Sequence, residues 1–334
     1  MARRHEYRQV LEKHLPDHIY RPNRGRLLWL ASCLALVAGG LFIIKQFPDL
    51  WLLKLLGSLA VGYAGATMGF LAHEILHGSV VNNRRWQDIL GLIAFLPLGV
   101  SPTFWRFWHN SLHHGFTQVL AKDPDALPTL GVFRRNRVFQ KLYFLLPGSS
   151  SFFSLFYFLY WFSSHLTIGQ VYLRFRRKGF HRLNHLRING EIVVIWSVHL
   201  LGTWFIGMDQ FLWTHLIPFA VMNYIVMSYI STNHMLMPLV KQPDVFESSL
   251  TVRNWSLLEW LNLNFGYHVE HHLFPEVNPC HAKLIHQQIH QQFPGRLKEM
   301  KKSQALARLY RTPRIYDGTK GLVDPYSGQK FETL

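Results

Sequence analysis

Charged residues are scarce in this chain of 334 residues, and acidic residues are the scarcest. Only 16% of the residues are Asp, Glu, Lys or Arg, against roughly 25% in an ordinary globular protein. With 19 acidic and 35 basic side chains, the formal net charge is +16. A nucleic-acid-binding protein is excluded because it would not carry several apolar runs of bilayer length. A membrane protein whose basic loops face anionic lipid headgroups fits the composition better.

Cysteine is also nearly absent. Cys33 lies inside an apolar run and Cys280 lies far from it. Two such residues provide neither a disulfide framework nor the paired spacing of a cysteine-based zinc site. The scarcity is compatible with a reducing, cytosolic environment, and it leaves other side chains to bind any metal.

Long apolar segments are what the chain has in abundance, since 49% of its residues are hydrophobic and they are bunched. Four segments are long enough to cross a hydrocarbon core about 30 Å thick. They pair as two hairpins: 27–44 with 51–71, and 191–207 with 210–230. A further apolar stretch, 89–105, is interrupted by Pro97, Gly99 and Pro102, so we expect it to be re-entrant or interfacial.

The distribution of Lys and Arg predicts the orientation. The two hairpin turns hold 2 and 0 of them, whereas 1–26, 72–190 and 231–334 hold 7, 14 and 12. The positive-inside rule therefore places both termini and the long middle segment in the cytosol. If 142–162 also crossed the bilayer, the histidines at 268–272 would be stranded on the opposite side from the earlier clusters. We expect 142–162 to lie in the membrane interface.

Three short stretches concentrate eight histidines at helical spacing. Residues four apart share one helix face, so each stretch presents two or three imidazoles to one side. Imidazole suits iron, zinc and copper rather than calcium or magnesium. Eight histidines without cysteine exceed a four-ligand zinc site and predict a two-metal centre with room for an outside ligand. The eight are His73, His77, His109, His113, His114, His268, His271 and His272.

His234 is a candidate ninth ligand, because it follows the fourth predicted span as His73 follows the second. Nearby carboxylates are candidates to accept the second N–H of a metal-bound imidazole. We expect the other histidines, including those along a predicted polar helix at 279–293, to be surface or ordinary core residues. The carboxylates are Glu74, Asp123, Asp125 and Glu270.

The three stretches resemble the histidine boxes of the integral-membrane fatty acid desaturase family. HEILH at 73–77, HNSLHH at 109–114 and HVEHH at 268–272 are similar to its HxxxH, HxxHH and HxxHH boxes. The second box is one residue longer than the simplest form, as in some members of the superfamily. Its continuation, GFTQ at 115–118 and KDPD at 122–125, is also similar. The resemblance covers roughly residues 27–295.

This resemblance implies an all-α integral membrane protein with four transmembrane helices in two hairpins. A cytosolic helical cap would hold the dimetal site. The chain then divides into a cytosolic N-terminal segment (1–26), the desaturase-like membrane domain with its cap (27–295) and a basic C-terminal tail (296–334), expected to be a solvated appendage. The location would be a bacterial inner membrane or the endoplasmic reticulum.

The resemblance also implies a chemistry, in which the eight box histidines and His234 bind two Fe²⁺ ions and the box histidines carry catalysis. An O₂-dependent desaturation of a fatty acyl chain in a lipid or thioester would take two electrons from an external donor such as ferredoxin or cytochrome b5. Two positions depart from family patterns. Ile230 stands where acyl-CoA desaturases have an asparagine, and His268 stands where front-end desaturases commonly have glutamine.

Other readings of the same residues remain open. The same centre could hydroxylate or ketolate a lipid or carotenoid. A metal-binding transporter or sensor would instead place polar groups along several spans, whereas these histidines gather on one predicted face. The HExxH spacing of the first box also matches zinc proteases, although two further histidine clusters accompany it here. Trp105 and Phe107 are candidates to line an acyl tunnel, or else to belong to an interfacial aromatic belt.

Overall fold

The computed structural model describes residues 2–334 and is mostly helical. Its α-helices are α1 (Ala2–Leu11), α2 (Arg26–Gln46), α3 (Trp51–Leu76), α4 (Arg84–Phe95), α5 (Pro102–Trp105), α6 (His114–Phe116), α7 (Leu130–Arg135), α8 (Arg137–Leu142), α9 (Tyr157–Ile168), α10 (Arg174–Arg176), α11 (His185–Ile206), α12 (Ile217–His234), α13 (Val245–Ser248), α14 (Ser256–Leu261), α15 (His268–Leu273), α16 (Ala282–Gln292) and α17 (Lys302–Arg311). Short strands are β1 (Thr251–Arg253), β2 (Glu299–Lys301), β3 (Tyr316–Asp317), β4 (Gly321–Val323) and β5 (Lys330–Glu332).

Segments of π-helix, which is wider than an α-helix, and of 3₁₀ helix, which is tighter, lie between these elements. π-helical segments occur at Arg106–His113, Gly169–Leu173 and Leu212–Leu216. Short 3₁₀ helices occur at Glu12–His14, Asp17–Tyr20, Leu96–Leu98, Tyr143–Leu145, Phe152–Phe156, Lys178–Arg182, Met208–Gln210 and Pro279–His281.

The chain forms two compact units. The spanning unit comprises 22–107 and 158–227, and the histidine unit comprises the N-terminal segment up to Arg21 together with 108–157 and 228–334.

Three helices of the spanning unit, α2, α3 and α11, are long and apolar enough to cross a bilayer. A fourth candidate arises if Arg84–Leu98 and Pro102–Phe116, bent by 101° at their break, count as one span. That bend falls where Pro97, Gly99 and Pro102 interrupt the apolar run, as the sequence predicts. The protein is therefore a helical membrane protein with three or four candidate spans.

Helix α3 is the centre of the spanning unit. Its most apolar stretch is 72% buried, whereas those of α2 and α11 are 22% and 17% buried and present apolar side chains outward. Close packing of α2 on α3 depends on glycine: a Cβ on Gly40 would come within 2.8 Å of the Gly57 carbonyl oxygen. Small residues of this kind let membrane helices approach closely.

The fourth predicted span, 210–230, is helical but does not meet the length and composition expected of a crossing helix. The π-turn at Leu212–Leu216 precedes α12, and polar residues ending at His234 make the last turn of α12 hydrophilic. The four-span topology therefore stays a prediction, as does the interfacial position of 142–162.

The third histidine box is held by a hydrophobic core in the histidine unit. Val269 and Leu273 of α15 are fully buried and belong to one apolar cluster with Leu11 of α1 and with Ile285 and Ile289 of α16. Because residues on opposite sides of a helix point apart, burying this face fixes the direction in which the α15 histidines point.

The expectation of a solvated C-terminal tail is wrong. Strands β3, β4 and β5 form an antiparallel sheet, and β2 pairs in parallel with β1. The side chains of Arg314 and Tyr316 are completely buried. Leu322 and Val323 of β4 are buried as well, which the charge-rich composition of this segment did not indicate.

Candidate metal centre

The second histidine box lies on a π-helix, Arg106–His113, that continues into α6. Hydrogen bonds in a π-helix run from i to i+5, so residues five apart lie on nearly the same face. Accordingly the Nε2 atoms of His109 and His114 are 3.1 Å apart. The wide turn absorbs the extra residue of the longer box, and the Nε2 atom of His113 faces a different histidine, His234.

His113 belongs to a set of four imidazoles whose Nε2 atoms converge. The Nε2 atom of His234 is 3.2 Å from that of His113 and 2.7 Å from that of His268, and the Nε2 atoms of His268 and His272 are 3.1 Å apart. All four side chains are buried. We call His113, His234, His268 and His272 the four-histidine set.

The hydrogen-bond partners of the Nδ1 atoms determine whether the converging Nε2 atoms carry a proton or a lone pair. His113 Nδ1 lies 3.1 Å from Asp123 Oδ1, and His234 Nδ1 lies 3.1 Å from the Ser248 carbonyl oxygen. These oxygens only accept hydrogen bonds, so both Nδ1 atoms must donate. In the neutral rings the two Nε2 atoms therefore present lone pairs to each other.

His272 follows the same logic. The Thr117 hydroxyl donates to the His113 carbonyl oxygen at 2.7 Å, so it can only accept from His272 Nδ1, 3.3 Å away. Three of the four converging Nε2 atoms thus carry lone pairs. Lone pairs facing each other at hydrogen-bond distance repel unless a proton or a metal cation lies between them. A proton would satisfy one pair of nitrogens, whereas a metal ion would satisfy all four.

Burial disfavours imidazolium at two members of this set, His234 and His272. It lowers the pKa of His234 to about 3 and that of His272 well below its usual value, and neighbouring imidazoles add to the effect. At His113 burial opposes protonation, but the Asp123 carboxylate outweighs it and raises the pKa. Neutral imidazole is the form that binds metal.

A second group in the same unit is the three-histidine set: His109, His114 and His271. The Nε2 atom of His114 is 3.1 Å from that of His109 and 3.1 Å from that of His271. His109 is only partly buried, unlike every member of the four-histidine set. The histidine unit thus brings together seven of the nine predicted ligands.

The first box lies in the spanning unit. Helix α3 runs on to Leu76, so His73 lies in its last turn and His77 follows it, with the two rings 4.7 Å apart. The Trp105 ring packs edge-on at 5.5 Å from His73 and 5.9 Å from His77. Trp105 is therefore a buried neighbour of the first box.

The four predicted carboxylates have different partners. Asp123 and Asp125 face His113 Nδ1 at 3.1 and 3.3 Å, as the sequence predicts. Glu74 Oε2 accepts from Arg26 Nε at 2.9 Å, and both side chains are buried. That ion pair ties the end of α3 to the start of α2.

Glu270 lies beside the third box but contacts a histidine outside it. Its Oε2 accepts from Thr251 Oγ1 at 2.6 Å, and its Oε1 lies 2.5 Å from His286 Nδ1. The expectation that His286 is an ordinary histidine therefore misses this contact. The one available signal was the i, i+4 spacing of His286 and His290 on the predicted polar helix.

Gln118 is a second residue whose role the sequence does not reveal. Its backbone N–H donates to Asp123 Oδ2 at 2.8 Å, and its side-chain amide donates to the His234 carbonyl oxygen at 2.6 Å. Its φ of 59° is in the left-handed region that non-glycine residues rarely adopt. Tyr316, from the C-terminal sheet, accepts from the same amide at 3.1 Å.

Both histidine sets fit a transition metal. Metal–nitrogen bonds of about 2.0–2.1 Å place neighbouring ligand atoms roughly 3 Å apart, and the measured Nε2 separations are 2.7–3.2 Å. Donors made only of imidazole suit iron, zinc and copper. Asp123 and the Ser248 carbonyl hold the rings by the outer nitrogen, as is usual for metal-bound histidine.

The chain is similar in sequence to proteins of one known family. A sequence model described as fatty acid desaturase matches residues 49–303. The chain is 25% identical over 289 residues to the Delta(8)-fatty-acid desaturase of Euglena gracilis, covering 78% of this chain and 66% of the relative. It is 22% identical over 300 residues to the chloroplastic omega-6 fatty acid desaturase of Spinacia oleracea, covering 83% and 62%.

A shorter match is closer in identity. Over 106 residues the chain is 33% identical to the sn-1 linoleoyl-lipid 6-desaturase of Arthrospira platensis, covering 31% of this chain and 28% of the relative. The chain thus spans less than two thirds of the length of each of these relatives. Because the family match extends over most of its residues, the chain belongs to the fatty acid desaturase family.

Proposed function

We propose that this protein desaturates a fatty acyl chain, using O₂, two electrons from an external donor and a histidine-ligated pair of iron ions. The observation that carries the proposal is the four-histidine set, in which three lone pairs converge in a buried site. The named relatives, all desaturases of fatty acids or acyl lipids, support the substrate class.

The proposed ligands are nine histidines. His113, His234, His268 and His272 would hold one ion, and His109, His114 and His271 would contribute to the other. His73 and His77 are included on the strength of their motif. Iron bound there would supply the O₂-dependent removal of hydrogen from an unactivated CH₂, which no side-chain acid or base can perform.

The chain's own residues prepare the site for this chemistry. Asp123 and the Ser248 carbonyl fix the tautomers of His113 and His234, so that their lone pairs point inward before an ion arrives. Gln118 connects Asp123 to the end of α12, which holds two separate parts of the chain in register. Such pre-set donors lower the reorganisation needed on metal binding.

The proposal includes a topology of four crossing helices in two hairpins, with a helical cap, the metal centre and both termini in the cytosol. The acyl chain would enter from the bilayer as part of a lipid or thioester. Ferredoxin, cytochrome b5 or a similar protein would deliver electrons to the cytosolic face.

Expression in a host with a defined lipid composition tests the function. Mass spectrometry of the host's lipids should reveal acyl chains lighter by two hydrogens with the unaltered protein, and none with His113→Ala. Equal membrane content of the two proteins is the control. A product that retains an added oxygen would replace desaturation by hydroxylation or ketolation, and unchanged product from His113→Ala would refute the assigned site.

A further inference from the structure

Outside the nine histidines, a third group of metal-binding side chains lies on the histidine unit. It consists of His286 and His290, one turn apart on α16, and Glu299 at the start of β2. The His286 and His290 rings are 4.7 Å apart. Glu299 Oε2 is 3.5 Å from His286 Nε2, and Glu299 Oε1 is 3.5 Å from His290 Nε2. Two imidazoles thus share one carboxylate.

These separations are long for hydrogen bonds, which for N–H donors usually measure about 2.7–3.2 Å. They are close to the distance between neighbouring ligands of a tetrahedral ion, about 3.3 Å for bonds of about 2.0–2.1 Å. One donor atom from each of the three side chains lies within 4.8 Å of the other two, which is close enough for the three to meet at one ion.

The outer nitrogen of His286 is already fixed. Its Nδ1 lies 2.5 Å from Glu270 Oε1, and a carboxylate only accepts, so Nδ1 carries the proton. In the neutral ring the lone pair is then on Nε2, which faces Glu299. At protein zinc sites, a histidine usually donates one ring N–H to a carboxylate and binds the metal through its other nitrogen.

Two rigid elements hold the donors in place. The opposite face of α16 packs Ile285 and Ile289 into the core with α1 and α15. Glu299 is paired with Thr251 in the parallel β1–β2 ladder, and Thr251 in turn donates to Glu270. His290 and Glu299 are 46% and 36% exposed, which leaves a path for an ion and for a water ligand.

We propose that His286, His290 and Glu299 bind one divalent transition-metal ion, with Zn²⁺ preferred, separately from the nine-histidine centre. Two imidazoles and a carboxylate, with the fourth position open to water, suit Zn²⁺ better than Ca²⁺ or Mg²⁺. The site contacts the third box through Glu270. It lies at the surface of the histidine unit, where His290 and Glu299 are partly exposed.

Equilibrium zinc binding tests the proposal. Purified full-length protein, with its resident metals in place, is titrated with Zn²⁺ at buffered free concentrations, and bound zinc and iron are both measured. The unaltered protein should bind one more Zn²⁺ per chain than His290→Ala/Glu299→Gln, at equal resident metal content. His14→Ala removes an exposed histidine elsewhere and should bind as much zinc as the unaltered protein.

A single substitution guards against a folding defect in the double variant. Glu299→Gln keeps the shape of the side chain and should weaken this zinc binding by at least about tenfold. Equal zinc affinity in Glu299→Gln and the unaltered protein would overturn the proposal, as would the absence of any zinc beyond the nine-histidine centre. Since the readout is zinc at the surface, desaturase activity could fail without affecting the result.

Discussion

The two histidine sets of one unit differ in how completely they are enclosed. In the four-histidine set every side chain is buried, and oxygen atoms fix the outer nitrogens of His113, His234 and His272. In the three-histidine set His109 is only partly buried, and His114 and His271 are 8% and 9% exposed. The same residue type thus builds one closed pocket and one more accessible one. Under the proposed function, the closed pocket would retain its ion and the accessible one would exchange ligands.

The largest expected effect comes from removing a ligand from either set. His268→Ala and His109→Ala should each lower product formation at least about a hundredfold, because a ligand contributes more than its outer partner. Their metal losses should differ. A chelator should strip the unaltered protein in a fast and a slow phase. His268→Ala should lack the slow phase and His109→Ala the fast one, and identical phases in both variants would erase the distinction between the sets.

Replacing the carboxylate behind His113 should have an intermediate effect. Asp123 Oδ1 faces His113 and accepts from the Asp125 backbone N–H, while Oδ2 accepts from the Gln118 N–H. The single oxygen of an amide cannot replace both. Asp123→Asn should weaken binding of the retained ion about 10- to 100-fold, measured by competition with a chelator.

Asp125→Asn is the matched comparison, because Asp125 is farther from His113 Nδ1 and 23% exposed. Asp125→Asn should weaken binding of the retained ion less than Asp123→Asn does. An equal or greater loss would mean that the buried carboxylate is not what distinguishes the closed pocket.

The smallest effect should come from the C-terminal sheet. The Tyr316 hydroxyl donates to the Met237 carbonyl at 2.6 Å and accepts from Gln118. Tyr316→Phe removes both hydrogen bonds, although the Met237 carbonyl still accepts from the Gln118 amide at 3.2 Å, and it should lower the free energy of unfolding by about 1–2 kcal/mol. Chemical denaturation in detergent measures this loss. Tyr326→Phe is the control: this residue is 70% exposed, and losing its hydroxyl should change the free energy of unfolding little. An equal loss in both variants would mean that the contacts of Tyr316 near the site have no special part in stability.

The sequence allows the histidine clusters to be predicted because the spacing within each of them is local. The i, i+4 pairs of the first and third boxes need only a helix, and His234 was found from its place after an apolar run. The π-helix was not predictable, since HNSLHH fits an ordinary helix equally well. What decides the wider turn is the convergence of His109 and His114 on His271, a residue 157 positions away from His114.

The misses share a physical cause, which is dependence on contacts distant in sequence. The tail after 296 looked solvated because its charge is visible in the sequence. The burial of Arg314 depends on the carbonyl oxygens of Met235 and Thr312, which surround its guanidinium. Gln118 and His286 likewise acquire their roles from partners at 234 and 270. Composition contains no information about such pairings.

The wide turn at Arg106–His113 also matters for aligning this sequence with others. A box that is one residue longer would ordinarily be aligned with a gap, as if one ligand had moved. Here the wider π-helical turn accommodates the additional residue, and the imidazoles at the two ends of the box, His109 and His114, still meet. Differences in box length among such proteins are therefore poor guides to differences in their chemistry.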